Sequence, residues 1–202
     1  MNIRKEQQKD YFEVENLTRE AFWNVYRPGC MEHYVLHVLR NDPAFVPELD
    51  YVIEEDGKMI AHIAYAEGTL QTDNGTGKLL LFGPVSVLPE LQGRGYGAKL
   101  IAFTLEKAAE LGYPAVVITG NPEYYSRFGF ESASKNGIFY EGMNQQEEFP
   151  FFMVKFLRDA AVGTIHGVYS DPPCYFADAD QVEAFDRQFP QKKKEKRPGQ
   201  LE

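Results

Sequence analysis

The 202-residue chain carries 21 basic and 30 acidic residues, a formal charge of −9, with 44% apolar and 25% charged residues. That balance suits a globular protein with a sizeable core and excludes a collagen-like repeat or a disulfide-dense secreted scaffold. No apolar run reaches membrane-spanning length and the first ten residues lack a signal-peptide apolar stretch, so a cytoplasmic location without a membrane partner is expected.

The first fifty residues read as helical. Asp10 stands three residues before Glu13, as in a helix start, and Val14, Leu17, Ala21, Phe22 and Val25 share one helical face. Arg27-Pro28-Gly29 interrupts, and Met31, Tyr34, Val35, Val38 and Leu39 make a second apolar face up to Asn41-Asp42-Pro43. His33 and His37 are one helical turn apart. Without a third ligand at matching spacing, this predicts a partly exposed helix face and no metal site. Cys30 and Cys174 fit no zinc or redox spacing and read as buried free thiols.

Strands follow. Tyr51–Glu55 and Met59–Tyr65 flank Asp56-Gly57, a strong hairpin signal. After a second turn at Thr72–Gly77, Lys78–Leu88 is apolar enough for a central strand. Pro84 cannot donate to a ladder, so pairing should fail or bulge at Gly83-Pro84. Ala98, Ile101, Ala102, Leu105, Ala108 and Ala109 form the apolar stripe of a clear helix, ended by Leu111–Pro114. Ala115–Thr119 is a buried strand, which closes a right-handed βαβ unit. Phe151–Leu157 and Gly163–Tyr169 are β-rich, and Asp178–Gln188 reads as a short helix.

The segment Gln92-Gly93-Arg94-Gly95-Tyr96-Gly97 joins the central strand to that helix. A helix N-terminus offers unpaired N–H groups and partial positive charge, and glycines allow close backbone approach. Together they make a pyrophosphate cradle, with Arg94 at its rim. The loop continues Gly97-Ala98-Lys99-Leu100, which fails the Gly-Lys-Ser/Thr requirement of a P-loop. Its G-x-G-x-G spacing, mid-chain and after antiparallel hairpins, does not fit a dinucleotide fold.

The run Val87-Leu88-Pro89-Glu90-Leu91-Gln92-Gly93-Arg94-Gly95-Tyr96-Gly97 resembles motif A of the GNAT acetyltransferase superfamily. Downstream, Tyr124-Tyr125-Ser126-Arg127-Phe128-Gly129-Phe130 resembles that family's Tyr-x-x-x-Gly-Phe signature. The run Gly120-Asn121-Pro122 before it is similar to the YhbS-like branch of N-acetyltransferases. The resemblance implies an α/β (α+β) GNAT fold with a mixed, mostly antiparallel sheet, splayed at a cofactor wedge and flanked by helices. The family domain would span 1–157, a packed C-terminal extension 158–190 and a disordered basic tail 191–202.

The same resemblance implies acetyl-CoA as co-substrate, no metal, and acetyl transfer to a primary amine of a small molecule or peptide by direct attack. Val85, Ser86 and Val87 would pair with the pantetheine arm, Val85 also polarising the thioester carbonyl. The pyrophosphate would meet Gln92, Gly93, Arg94, Gly95, Gly97 and Ala98. Tyr125 would protonate the leaving thiolate, with aromatic packing as its alternative role. Asn121 would contact pantetheine or cap the short helix. Several GNAT enzymes carry a glutamate on the central strand, whereas Leu79–Val85 holds no acid. Glu54, Glu55, His62 and Glu67 on neighbouring strands are the remaining base candidates. That missing glutamate keeps a non-catalytic acyl-CoA-binding module as the alternative function. Five basic and two acidic residues lie in 191–202, which leaves the body at −12. Such acidity disfavours nucleic acid and suits a cationic acceptor. The aromatics of 135–190 predict a segment packed over the acceptor side, or else a homodimer interface.

Overall fold

The computed structural model describes residues 1–200. Its contacts group the chain into two compact units, Met1–Ala64 with Gly83–Leu100 and Pro173–Glu202, and Tyr65–Phe82 with Ile101–Pro172. The central strands and the helix after the glycine loop pass from one unit into the other.

In the first unit, β1 (Asn2–Lys5) pairs antiparallel with β2 (Tyr51–Glu55), and β2 with the beginning of β3 (Lys58–Thr72). Asp56 and Gly57 both take positive φ, 51° and 77°, as a two-residue hairpin of this twist requires. Helices α1 (Tyr11–Phe22) and α2 (Glu32–Leu39) pack together and bury Val14, Leu17, Val35, Leu36 and Leu39. Two details differ from the periodicity reading. Asp10 is engaged by Arg4 and the Gln7 N–H, and Glu13 accepts from the Met59 N–H, so neither forms the expected cap. Helix α1 stops at Phe22, leaving Val25 exposed, because Asn24 turns the chain with φ 59°.

The second unit holds the rest of β3 and most of β4 (Gly75–Val87), joined by a tight turn. Strand β5 (Ala115–Thr119) runs parallel to β4 in the register Leu80↔Val116 and Leu81↔Val117. Beyond these pairs Gly83-Pro84 is a cis peptide, at the position where the sequence predicted a break in pairing. Strand β5 then pairs antiparallel with β8 (Phe152–Phe156), and β8 with β6 (Glu131–Ser132). Strand β9 (Gly167–Ser170) lies antiparallel to β3 and parallel to β7 (Ile138–Tyr140). The sheet is therefore mixed and mostly antiparallel. Helix α3 (Tyr96–Glu110) connects β4 to β5; Ile101, Leu105 and Ala108 are buried, and Thr104 Oγ1 meets the Tyr65 hydroxyl at 2.8 Å.

The segment after β8 is divided. Strand β9 extends the sheet of the second unit, whereas α5 (Ala179–Asp186) belongs to the first, capped by the Asp178 carboxylate at the Asp180 and Gln181 N–H groups. Phe185 of α5 packs on His33, Tyr34 and His37. Residues 191–200 depart from the expected disorder. The Lys193 carbonyl accepts from Trp23 Nε1 and Asn24 Nδ2, the Glu195 N–H donates to Asn24 Oδ1, and Lys192 pairs with Glu20. A buried asparagine in a left-handed turn needs partners for its amide, and this segment supplies them.

Candidate active site

Strand β4 ends at Val87 and delivers the chain to a short 3-10 turn, Pro89–Leu91, then to the glycine loop. Gln92 folds back, its side-chain amide donating to the Val87 carbonyl at 3.1 Å. Gly93 and Gly95 have φ of 75° and 87°, which L side chains rarely adopt. A Cβ built on either would meet nothing within 4 Å, so these glycines serve the backbone path and leave space in front of the loop. Helix α3 starts at Tyr96, and its first-turn N–H groups lack intrahelical acceptors by construction. Gln92, Gly93, Arg94 and Gly95 are exposed, Ala98 is half-buried and Gly97 is buried. The loop is anchored by the Lys99 N–H on the Gly95 carbonyl and by the Tyr96 hydroxyl on Glu55. On β4, Ser86 is buried with its hydroxyl on Thr18 of α1, while Val85 and Val87 are half-buried. The side chain of Ser86 is thus spent on packing against α1.

In the second unit Tyr125 closes the short helix α4 (Pro122–Tyr125). Asn121 caps this helix through the Glu123 N–H at 2.9 Å. The Tyr125 ring stands edge-on to Tyr124 at 5.0 Å and also contacts Phe82 and Phe130. A Cβ at Gly120 would lie 2.4 Å from the same ring, so glycine there admits the tyrosine.

The acids weighed as bases are engaged. Glu54 accepts from Arg4 Nε at 2.7 Å, and Glu55 from Tyr96. Burial alone would raise the Glu67 carboxyl, yet its bonds to Lys78 and Tyr113 hold it below the usual range. His62 is fully buried with Nε2 2.8 Å from Asp50, and burial pulls it down to about 4. The ligand atoms of Glu6, Asp50 and His62 gather within 4.8 Å of one another. Arg40 occupies this cluster, bonding both Glu6 oxygens and reaching Glu15.

Helix α2 corrects the expectation of a shared exposed histidine face. His37 meets Glu15 and is about half exposed, whereas His33 is fully buried between Cys30 and Asp186. Cys30 Sγ lies 3.3 Å from His33 Nδ1, and His33 Nε2 lies 3.1 Å from Asp186 Oδ1. Burial, with Glu32 and Asp186 nearby, drives the Cys30 thiol far up, so it stays neutral. Asp186 is held bidentately by the buried Arg19. Sequence spacing gave no sign of this constellation, since Asp186 joins it from α5. Cys174 is half-buried rather than buried.

Residues 2–133 match the acetyltransferase (GNAT) domain family, and the chain belongs to that family. Among curated relatives, the uncharacterized N-acetyltransferase YjhQ of Escherichia coli K12 is 31% identical over 93 residues, 46% of this chain and 51% of YjhQ. The chain thus spans about half the length of that relative. Uncharacterized N-acetyltransferase YhbS of the same strain is 29% identical over 138 residues, 68% of this chain and 78% of YhbS. The crystal structure of E. coli YhbS in complex with CoA superposes with a TM-score of 0.75 at 27% identity, covering 87% of this chain and 92% of that one. A GNAT acetyltransferase from Brucella melitensis in complex with acetyl-CoA gives 0.68 at 28% identity, over 86% and 97% of the two chains. Among the described residues no helix is long and apolar enough to cross a membrane.

Proposed function

We propose that this GNAT protein transfers the acetyl group of acetyl-CoA to a primary amine of a small molecule or peptide, by direct attack within a ternary complex. The observation that carries this reading is the glycine loop, with Gly93 and Gly95 in left-handed backbone before the N-terminus of α3 and open space in front. Such a terminus favours a diphosphate through N–H groups and dipole together. The peptide groups of Val85, Ser86 and Val87 are assigned to the pantetheine arm. Gln92 shapes the loop, and Gly93, Arg94, Gly95, Gly97 and Ala98 are assigned to the pyrophosphate. Asn121 is kept as a helix cap that also reaches pantetheine, and Tyr125 as the acid for the leaving thiolate. The CoA and acetyl-CoA complexes of the two structural relatives support the choice of co-substrate.

Direct attack is supported by the state of Cys30, whose buried neutral thiol is a poor nucleophile. Both cysteines are free, which suits the reducing cytoplasm. The test is thiol release from acetyl-CoA in the presence of a panel of primary amines and lysine-containing peptides, with the acetylated product identified by mass spectrometry. Amine-dependent release supports the reading. Tight acetyl-CoA binding without transfer to any acceptor would instead make the protein an acyl-CoA sensor.

A further inference from the structure

A primary amine is an ammonium at neutral pH, and it must lose a proton before its nitrogen can attack. Glu54, Glu67 and His62 are tied to charged partners, and Glu55 bonds Tyr96 with the terminal amine nearby. Asp171 is different. It follows β9, in the unit that also contains the Leu81↔Val117 end of the parallel ladder, and it is half-buried. The Tyr140 hydroxyl donates to its Oδ2 at 2.5 Å, and the Tyr169 phenol is the second group that stabilises its charge. Its partners among the described residues are phenols rather than cations. Burial raises this carboxyl, outweighing both phenols, which makes it a better proton acceptor.

The seat of this carboxylate is built into the sheet. A Cβ at Gly68 of β3 would fall 2.2 Å from the Tyr169 hydroxyl, so only glycine admits that phenol. Phe152 of β8 stacks on Tyr169 at 5.6 Å and meets Tyr140 edge-on at 5.3 Å. Rings beside an anion form a surface that favours organic cations. Tyr140 and Asp171 are only partly buried, so an edge of the group faces solvent.

We propose that Asp171, held by the Tyr140 hydroxyl, receives the proton of the acceptor ammonium and selects acceptors that are cationic in solution. This rests on the acetyl-transfer reading above. One N–H bond of the ammonium breaks and its proton passes to the Asp171 carboxylate. The freed nitrogen pair forms the C–N bond to the acetyl carbon. The C–S bond breaks with its electrons on sulfur, the Tyr125 hydroxyl protonates that thiolate, and the second nitrogen proton restores the phenol. Asp171 then returns its proton to water.

The test compares the full-length protein with Asp171→Asn and Tyr140→Phe in the thiol-release assay. Acceptors are the best alkylamine or lysine peptide of the panel, and hydroxylamine, which is uncharged at neutral pH. Asp171→Asn should lose about 10²–10⁴-fold with the alkylammonium acceptor. It should keep its hydroxylamine rate within a few-fold, and its alkylamine rate should climb toward wild type as pH rises. Tyr140→Phe, which removes a bond that lowers the Asp171 carboxyl, should shift the acid limb of the pH profile upward. Equal loss with both acceptors would mark Asp171 as a packing residue and overturn the proposal. An unchanged alkylamine rate in Asp171→Asn, or an unmoved acid limb in Tyr140→Phe, would overturn it too. Wild-type protein inert toward every acceptor defeats the acetyl-transfer reading itself, and the proposal with it; an active wild type separates the two failures.

Discussion

Tyr125 sits in an aromatic group with Tyr124, Phe82 and Phe130, so its ring and its hydroxyl have separable duties. Tyr125→Phe preserves the ring and removes only the acid. If the hydroxyl protonates the thiolate, kcat should fall about 10²-fold or more while acetyl-CoA affinity holds; unchanged kcat with a chemistry-limited acceptor would leave Tyr125 a packing residue. A second residue-scale expectation concerns the buried cluster of Glu6, Asp50, His62 and Arg40. Burial, with the Asp50 charge opposing His62 and Arg40, raises Glu6 to about 7, and burial raises Asp50 to about 6. Both carboxyls hold protons more tightly when folded, so the stability they lend is complete below pH ~4 and fades as pH rises through 6 and 7. His62, lowered to about 4, acts in the opposite sense, its contribution being lost as pH falls through 6.5 toward 4. Urea midpoints should therefore decline from pH 6 to pH 8 in the wild type, and decline less in Glu6→Gln. Equal slopes in the two proteins would contradict the assignment.

At the scale of elements, α5 is tied to α1 by Arg19, whose guanidinium is fully buried, bonded bidentately to Asp186 and set 4.2 Å over the Trp23 ring. Asp186→Ala would strand that buried charge, and about 3–5 kcal/mol of stability should be lost on chemical denaturation. A loss near zero would mean that Arg19 finds water on its own. The C-terminal segment makes a smaller contribution. Ending the chain at Pro190 removes the Lys193 carbonyl from Trp23 and Asn24, two net hydrogen bonds worth about 1–3 kcal/mol together. Melting temperature should drop by several degrees, while an unchanged value would return the segment to the role of a solvated tail. These elements also show where sequence reading stops. The Asp56-Gly57 hairpin and the α3 stripe were legible because each is dictated by residues adjacent in the chain. The burial of His33, the order of 191–200 and the Tyr140–Asp171 pair were not. Their causes lie in partners 153, 169 and 31 positions away, for which local periodicity carries no signal.

Across the whole molecule, the chemistry divides between a loop that the sequence announces and an acceptor half that it does not. The glycine loop is legible because backbone conformation, helix start and spacing all coincide within seven residues, Gln92–Ala98. The acceptor half proposed above would draw on β7, β9 and the Gly68 gap in β3, which only the fold assembles. The central claim is that the loop holds the diphosphate of acetyl-CoA. It is tested most directly by calorimetric titration of acetyl-CoA into wild type and Gly95→Asp, with circular dichroism to confirm that both are folded. At φ 87° and with open space in front, Gly95 has no packing role for a side chain to disturb, so the added carboxylate acts through strain of the loop and repulsion of the ligand. Acetyl-CoA should bind wild type saturably and lose at least about tenfold in affinity for the variant, the equivalent of ~1.4 kcal/mol. Equal affinity in the two folded proteins would contradict diphosphate binding by this loop.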